Sequence, residues 1–538
     1  MRQWNAWGHE GEDFPATEQA QTYLREHLGP AQALPDATLQ QALAAVPASR
    51  LQARQGWSID PELRLRHARG QSLPDWLALR SGHLQHYPDA VAQPSSREEV
   101  RALLDAARQL QVTVIPYGGG TSVVGHINPL PGDRPVLTLS LQRMNRLLSL
   151  DPVAQIAHFG AGTPGPEVEA QLRQHGFLLG HFPQSYELST VGGWVASRSS
   201  GQQSMRYGRI EQLFAGGHVE TLSGSWDIPA LPASSAGPDL REMLLGSEGR
   251  FGVITDVALR VSRLPEQERF HVAFVPDAAR ALACVRELVQ QRTPLSMLRL
   301  SLPEETRAHL ILAGHARAVA WLERYLRLRG IGAGKCMLTF GLTGSRAEVA
   351  TLRARLRRVL AAHGGVDTGS MLGQRWQAVR FRSPYLRESL WRLGYAVDTL
   401  ETAVDWSRLP QTVEAIETSL RQGLADEGER VLAFSHLSHM YGEGSSIYTT
   451  YFYRCADSYE RTQARWQKLK KRASEAIVAH AATISHQHGV GIDHAPYLQA
   501  EKGVAGLRAI HALCQHFDPQ GLLNPGKLLE LDQDHQGA

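Results

Sequence analysis

The sequence is poor in cysteine. Cys284, Cys336, Cys455 and Cys514 are scattered over 538 positions, and no CxxC pair occurs. That excludes the usual spacing of zinc sites and redox dithiols. It also offers no disulfide framework, which points to a reducing compartment. Excess charge of one sign is missing too. The 56 basic and 53 acidic residues leave a net +3, with no electrostatic footprint for nucleic acid. No apolar run approaches the roughly 18 residues that span a bilayer. The opening MRQWNAWGHEGEDF lacks the apolar stretch of a signal peptide. A cytoplasmic protein is expected, and neither repeats nor low-complexity tracts complicate the reading.

What is present is ordinary globular composition, 43% hydrophobic and 20% charged. At about 100–200 residues per domain, the length implies three or four domains. Residues 1–86 read as helical and irregular. From about Tyr87 to 265, short strands alternate with helices without the regular βαβα rhythm of a doubly wound sheet. In SREEVRALLDAARQL, apolar Val100, Leu103, Leu104, Ala107 and Leu110 follow helical spacing, and Ser95 or Ser96 can cap the helix. Residues 266–430 form a second unit of helices and strands. Residues 431–455 read as paired strands, followed by a basic helix over roughly 459–481. The fold class is α+β.

Three glycine-punctuated stretches stand out. VIPYGGGTSVVG (114–125) runs a strand into Gly118, Gly119 and Gly120, with hydroxyls at Thr121 and Ser122. Glycines permit close approach, and successive N–H groups can form an anion-binding nest. Taken alone, the loop is either a phosphate cradle or a plain turn. It is not a P-loop, because no GK[ST] follows. GAGTPG (160–165) matches GxGxxG formally, but no acidic residue ends the next apolar stretch, and Pro164 and Pro166 remove donors. It reads as a turn. STVGGWVASRSSG (189–201) and LLGSEGRFGVIT (244–255) are further glycine-rich turns. Three such loops in one α+β unit suggest a long ligand laid across them.

PYGGGTSV, SYELSTVGGWVASRSSG and GSEGRFGVIT resemble the flavin-binding elements of the vanillyl-alcohol-oxidase, or PCMH-type, FAD domain. RQWNAWGHE, HARGQSLPDWLALRSG, DTLETAVDW (398–406) and SHQHGVG (485–491) extend the likeness. With them the chain is similar to alkyldihydroxyacetonephosphate synthases over nearly its full length. The resemblance implies a helical N-terminal segment over 1–86 and a two-subdomain FAD-binding domain over 87–265. It further implies an α+β cap domain over 266–485 and a C-terminal segment over 486–538 that returns to the flavin. It implies FAD contacts from Pro116, Tyr117, Gly118, Gly119, Gly120, Thr121 and Ser122, and from Gln184, Ser189, Thr190, Gly193, Ser197, Arg198 and Ser200. Glu248, Gly249, Gly252, Val253 and Ile254 complete that set. Gln184 stands where the family commonly has an acid. Thr121 occupies the neighbourhood where some relatives attach flavin through histidine, so non-covalent FAD is expected.

His486 and His488 are two apart, so on an extended segment both face one way. Paired imidazoles can move protons or bind an anion or a metal. His436 and His439 are the other candidate metal ligands, but no carboxylate cluster supports them, and no metal is expected. The resemblance implies that Tyr448, in SSIYTTY, is the catalytic acid/base. A phenol near pKa 10 is a poor base unless neighbours lower that value, a role open to His486 and His488. The family has three consecutive histidines where this chain has His-Gln-His. Arg299 matches a residue needed for activity, and Arg387 one that binds substrate phosphate, a role guanidinium suits.

The implied reaction exchanges the acyl group of acyl-dihydroxyacetone phosphate for a fatty alcohol, without net redox change. The partner is then a lipid-phosphate substrate. Peripheral membrane contact through KLKKR (468–472) and a homodimer are left open, although such a basic run reads more simply as a solvated helix face. The rival reading is an FAD-linked D-2-hydroxyacid dehydrogenase or oxidase with a histidine base. A flavin-binding protein without catalysis is the third. The dense polar set at 436–448 speaks against that one, since buried polar groups without purpose reduce stability.

Overall fold

The computed structural model describes residues 1–312 and 316–530. The fold is α+β, as expected, and is built around three main sheets. In the first, Ala90–Ala92, Val136–Ser140 and Thr113–Tyr117 lie side by side and parallel. Trp57–Ser58 joins the edge antiparallel, so the segment read as helical also lends a short strand. The helix Arg97–Leu110 packs against this half. Ser96 Oγ caps it by accepting the Glu99 N–H, and Val100, Leu103, Leu104 and Ala107 are buried. Each buried leucine contributes on the order of 1.5–3 kcal/mol. Leu110, the last residue of the expected stripe, stays exposed, and the chain turns at Gln111 with φ 54°.

The second sheet is antiparallel, in the order Leu147–Asp151, Ile156–Gly160, Val253–Arg260, Phe214–Thr221, Gly224–Ile228. It shares one apolar core with the first, including Leu137, Phe159, Trp194, Val257, Leu522 and Leu523. The last two come from the C-terminal segment, whose Leu523 bridges to Val114. The helix Leu498–Phe517 in that segment is broken at Gly503, which has φ 65°.

The third sheet has seven strands, each pair antiparallel. Its order is Val366–Asp367, Gln267–Val275, Cys336–Gly344, Met297–Ser301, Leu432–Leu437, Gly444–Arg454, Tyr395–Asp405. Helices Ala278–Gln290, Arg346–Ala362, Leu409–Arg421 and Tyr459–Ala479 bury their apolar residues in the core on one side of it. The two-residue period of a strand then sends alternate residues elsewhere. Leu298 and Leu300 enter the core while Met297 and Arg299 line a cavity; Ile447, Tyr451 and Tyr453 enter the core while Tyr448, Thr450 and Phe452 line that cavity.

Helix Tyr459–Ala479 does not present KLKKR as a continuous basic face. Lys470 is buried and Lys468 pairs with Asp426. No helix among the described residues is long and apolar enough to cross a membrane. All four cysteines are buried.

Candidate active site

A cavity of about 820 Å3 lies between the two smaller sheets and the seven-stranded one. Its floor includes Pro116, Tyr117, Gly118, Gly119, Gly120, Thr121 and Ser122, where a parallel strand ends and the glycine loop begins. The loop packs hard on its neighbour. A Cβ at Gly119 would sit 1.8 Å from the Leu188 carbonyl oxygen. Gly120 turns with φ +67°. Among the described residues, the amides of Gly119 through Ser122 donate no hydrogen bond.

Gln184, Ser189, Thr190, Gly193, Ser197 and Ser200 also line the cavity, as do Glu248, Gly249, Gly252 and Ile254. Several already serve the protein. Gln184 Nε2 donates to Arg380 O at 2.8 Å, tying the loops of this wall to the other half. Ser189 Oγ accepts from Trp194 Nε1 at 2.7 Å. Ser200 Oγ lies 3.2 Å from His439 Nδ1. The Glu248 carboxylate accepts the amides of Val490 at 2.5 Å and Gly491 at 2.8 Å, and His126 Nε2 lies 3.0 Å from it. Two buried acceptors, Thr190 Oγ1 and Asn524 Oδ1, have no hydrogen-bond partner among the described residues. Free loop amides, an unpaired buried hydroxyl and small residues along one wall are the donor set that a diphosphate needs. The residues present therefore fit an FAD.

Two residues of the expected flavin set lie off the cavity. Arg198 adopts φ 56° and sends its guanidinium to Glu242 at 2.6 Å. Val253 is buried within its sheet, because strand alternation turns it away from the wall that Gly252 and Ile254 face. Conversely, sequence reasoning missed Asn524, whose Nδ2 donates to Glu248 O at 2.7 Å and His126 O at 3.0 Å. It also missed residues 2–14, which strap the two halves together. Arg2 Nη1 donates to Gly119 O at 2.5 Å, Trp7 lines the cavity, and Glu12 accepts the Tyr385 hydroxyl at 2.9 Å.

The polar end is carried by the seven-stranded sheet. Pairing sets His436 and Glu401 opposite Tyr448 on its two neighbouring strands. The His436 ring stacks on Tyr448 with centroids 4.9 Å apart. His436 Nδ1 is 2.8 Å from Glu305 Oε1, which also accepts from Arg299 Nη2 at 2.9 Å. Burial and Arg299 push His436 down to about 4, so it is neutral at pH 7. Arg387 Nη2 is fixed by Asp398 Oδ1 at 3.0 Å, and Asp398 Oδ2 in turn accepts from Trp466 Nε1 at 2.6 Å. Arg299, Arg387, Tyr448 and His488 all line the cavity.

His486 does not. Its Nε2 accepts from Arg209 Nη1 at 2.7 Å and lies 2.6 Å from the Tyr441 hydroxyl, behind the wall. The two histidines therefore do not share a face toward the cavity, because the segment is a bent loop and not an extended strand. Its anchor is Glu401, whose Oε1 accepts the amides of His486 at 3.1 Å, Gln487 at 2.6 Å and His488 at 2.8 Å. Burial alone would raise that carboxyl. The histidines and the Gln487 amide outweigh it and hold Glu401 well below the usual carboxylate range. The Tyr448 phenol moves the other way from expectation. Burial pushes it up, Thr399 opposes, and Glu401 and Asp398 add to the rise. The histidines do not lower it, since both are themselves pushed down by burial. The described residues hold no cluster able to ligate a metal ion.

Residues 88–226 match the family described as FAD binding domain, and residues 264–528 the family described as FAD linked oxidases, C-terminal domain. The chain is 31% identical to an alkyldihydroxyacetonephosphate synthase of Trypanosoma brucei brucei, over 82% of this chain and 73% of that protein. It is 30% identical to one from Dictyostelium discoideum, with the same coverage. A solved alkyldihydroxyacetonephosphate synthase superposes with a TM-score of 0.84, covering 97% of this chain and 98% of that one at 24% identity.

Proposed function

The chain belongs to the alkyldihydroxyacetonephosphate synthase family of FAD-dependent enzymes, and from that premise we propose that it exchanges the acyl group of acyl-dihydroxyacetone phosphate for a fatty alcohol, making an ether-lipid precursor. The observation that supports this reading is the mixed character of the cavity. Beside Arg387, Tyr448 and His488 it has an apolar wing that includes Val272, Met297, Leu310, Met337, Phe434 and Phe452. An alkyl chain gains about 0.8 kcal/mol per methylene on leaving water, and a lactate-sized acid has no use for such a wing.

FAD, when bound, supplies the electron-accepting ring that no side chain provides. Its diphosphate would rest on the amides of 119–122 and on Thr190. Arg387, oriented by Asp398, would bind the substrate phosphate through its remaining N–H groups. Arg299, pinned by Glu305, would present a fixed positive charge to the developing negative charge of the substrate. Tyr448, held protonated, would donate its O–H to a substrate oxygen instead of acting as a base. Trp7 and Trp76 in the wall would help exclude water.

The test is Tyr448→Phe. Exchange of fatty acid for hexadecanol on palmitoyl-dihydroxyacetone phosphate should fall at least about a hundredfold, the general acid–base range, with flavin content unchanged. Undiminished exchange would remove Tyr448 from the chemistry. Anaerobic bleaching of the wild-type flavin by D-lactate or glycolate, without any exchange activity, would instead favour the D-2-hydroxyacid reading, for which Arg387 would hold the carboxylate and His488 would take the proton of the hydroxyl group.

A further inference from the structure

Glu401 is a fully enclosed carboxylate, 2% exposed. Its Oε1 collects three successive main-chain amides, an arrangement that fixes both the acid and the His-Gln-His turn. The register sets it directly across from Tyr448. His488 Nδ1 lies 3.8 Å from its Oε1, and His486 Nδ1 lies 3.3 Å from its Oε2. His486 is committed to Arg209 and Tyr441. His488 is not. Its ring lines the cavity and meets Tyr448 edge-on, with centroids 6.0 Å apart. A charge this deep is destabilising unless it is bound from several sides. Here it is bound by amides that any acceptor of the right length would satisfy, so the turn alone does not explain an acid.

We propose that Glu401 is a positioning residue that makes His488 the proton acceptor of the site, leaving Tyr448 as a protonated donor beside it. The inference rests on the reading above for its substrate. A hydrogen is lost from the carbon that bears the ester, next to the ketone of dihydroxyacetone. The C–H bond breaks, an N–H bond forms on His488, and the electron pair stays on carbon, spread into the adjacent carbonyl. Glu401 stabilises the imidazolium so formed, much as a carboxylate behind an imidazole does in other acid–base pairs. The other charged or titratable groups facing His488 are Lys470 from the long helix, Asp398 from the same strand as Glu401, and His486 and His494 from its own segment. Lys470 opposes a second positive charge on His488. That leaves Glu401 and Asp398 as the groups that favour it, and Asp398 is already spent on Arg387 and Trp466.

The experiment uses holoprotein and Glu401→Gln, which keeps one carbonyl oxygen for the three amides and removes the charge. Histidine-labelled NMR, with His488 assigned through His488→Gln, reads its titration without any substrate. The His488 midpoint should fall by about one pH unit or more, the effect of losing an opposite charge within about 4 Å. An unmoved midpoint overturns the proposal, whatever the substrate proves to be. On exchange activity, kcat should fall at least about tenfold with KM within about twofold. The double variant Glu401→Gln, His488→Gln should be no slower than His488→Gln alone, because two residues acting as a unit are not additive. Multiplying effects would overturn the pairing. Should Glu401→Gln not fold, His488→Gln carries the test. It must remove the acidic limb of the pH–rate profile, and the residual rate of Tyr448→Phe must keep it. The opposite pattern makes the phenol the base. A protein that titrates as proposed but shows no exchange would refute only the synthase reading.

Discussion

Gly119→Ala puts one methyl where the structure has no space. The new carbon would lie 1.8 Å from Leu188 O, 2.7 Å from Leu188 C and 3.0 Å from Ser189 Cα. Ordinary C···O contact begins at about 3.3 Å, so the two strands of loop must part by about 1.5 Å. All three atoms met are main chain, so no rotamer change relieves the clash. Overpacking of this kind costs about 1–3 kcal/mol. The displaced loop carries the amides assigned to the diphosphate and is faced by Thr190 on the opposing segment. If the same energy is lost from binding, FAD affinity falls by roughly one to two orders of magnitude. The assay is FAD titration of stripped protein by flavin fluorescence quenching, paired with a melt of the apoprotein. Gly132→Ala is the control, since nothing lies within 4 Å of its added carbon. Wild-type FAD affinity in Gly119→Ala would refute the placement of the cofactor on this loop.

Two further outcomes follow from charges described above or close by. Arg387→Lys keeps the charge but not the fork, and should raise KM for the phosphate substrate by about tenfold while changing kcat less. Equal KM values would move the phosphate elsewhere. His218 lies between Asp227 at 2.6 Å and Glu220 at 2.8 Å. Burial pulls it down, but the two carboxylates outweigh that and raise it. A raised folded value adds stability below the unfolded value of about 6.5 and loses it as pH rises through the folded one. The stability advantage of wild type over His218→Gln, read from urea midpoints, should therefore be greatest near pH 5.5 and smallest near pH 9. A reversed trend would break the assignment.

The glycine-lined wall of the cavity was legible because local strings carry it. Glycines beside hydroxyls need no long-range knowledge, and most residues read from those strings line the cavity. The failures have local causes of another kind. Arg198 caps a short helix and turns outward; Val253 obeys strand alternation; His486 sits in a bent loop, not on a strand. Glu401, Glu305 and Asn524 were invisible because the partners that define their roles lie far away in sequence, as His486 does for Glu401, His436 for Glu305 and Glu248 for Asn524. A weak signal did exist. YAVDTLETAVD is a strand in which Asp398 and Glu401 interrupt apolar and hydroxyl residues, and acids inside a buried strand ask for partners.

The bridge between Val114 and Leu523, with Asn524 beside it, has a bearing on biosynthesis. The strand that feeds the glycine loop is made long before the segment that closes one wall of its chamber. A nascent chain between those two points of synthesis holds an unfinished vessel. On the proposed placement of FAD, a complete chamber must wait for residues 522–524 to fold back onto that strand.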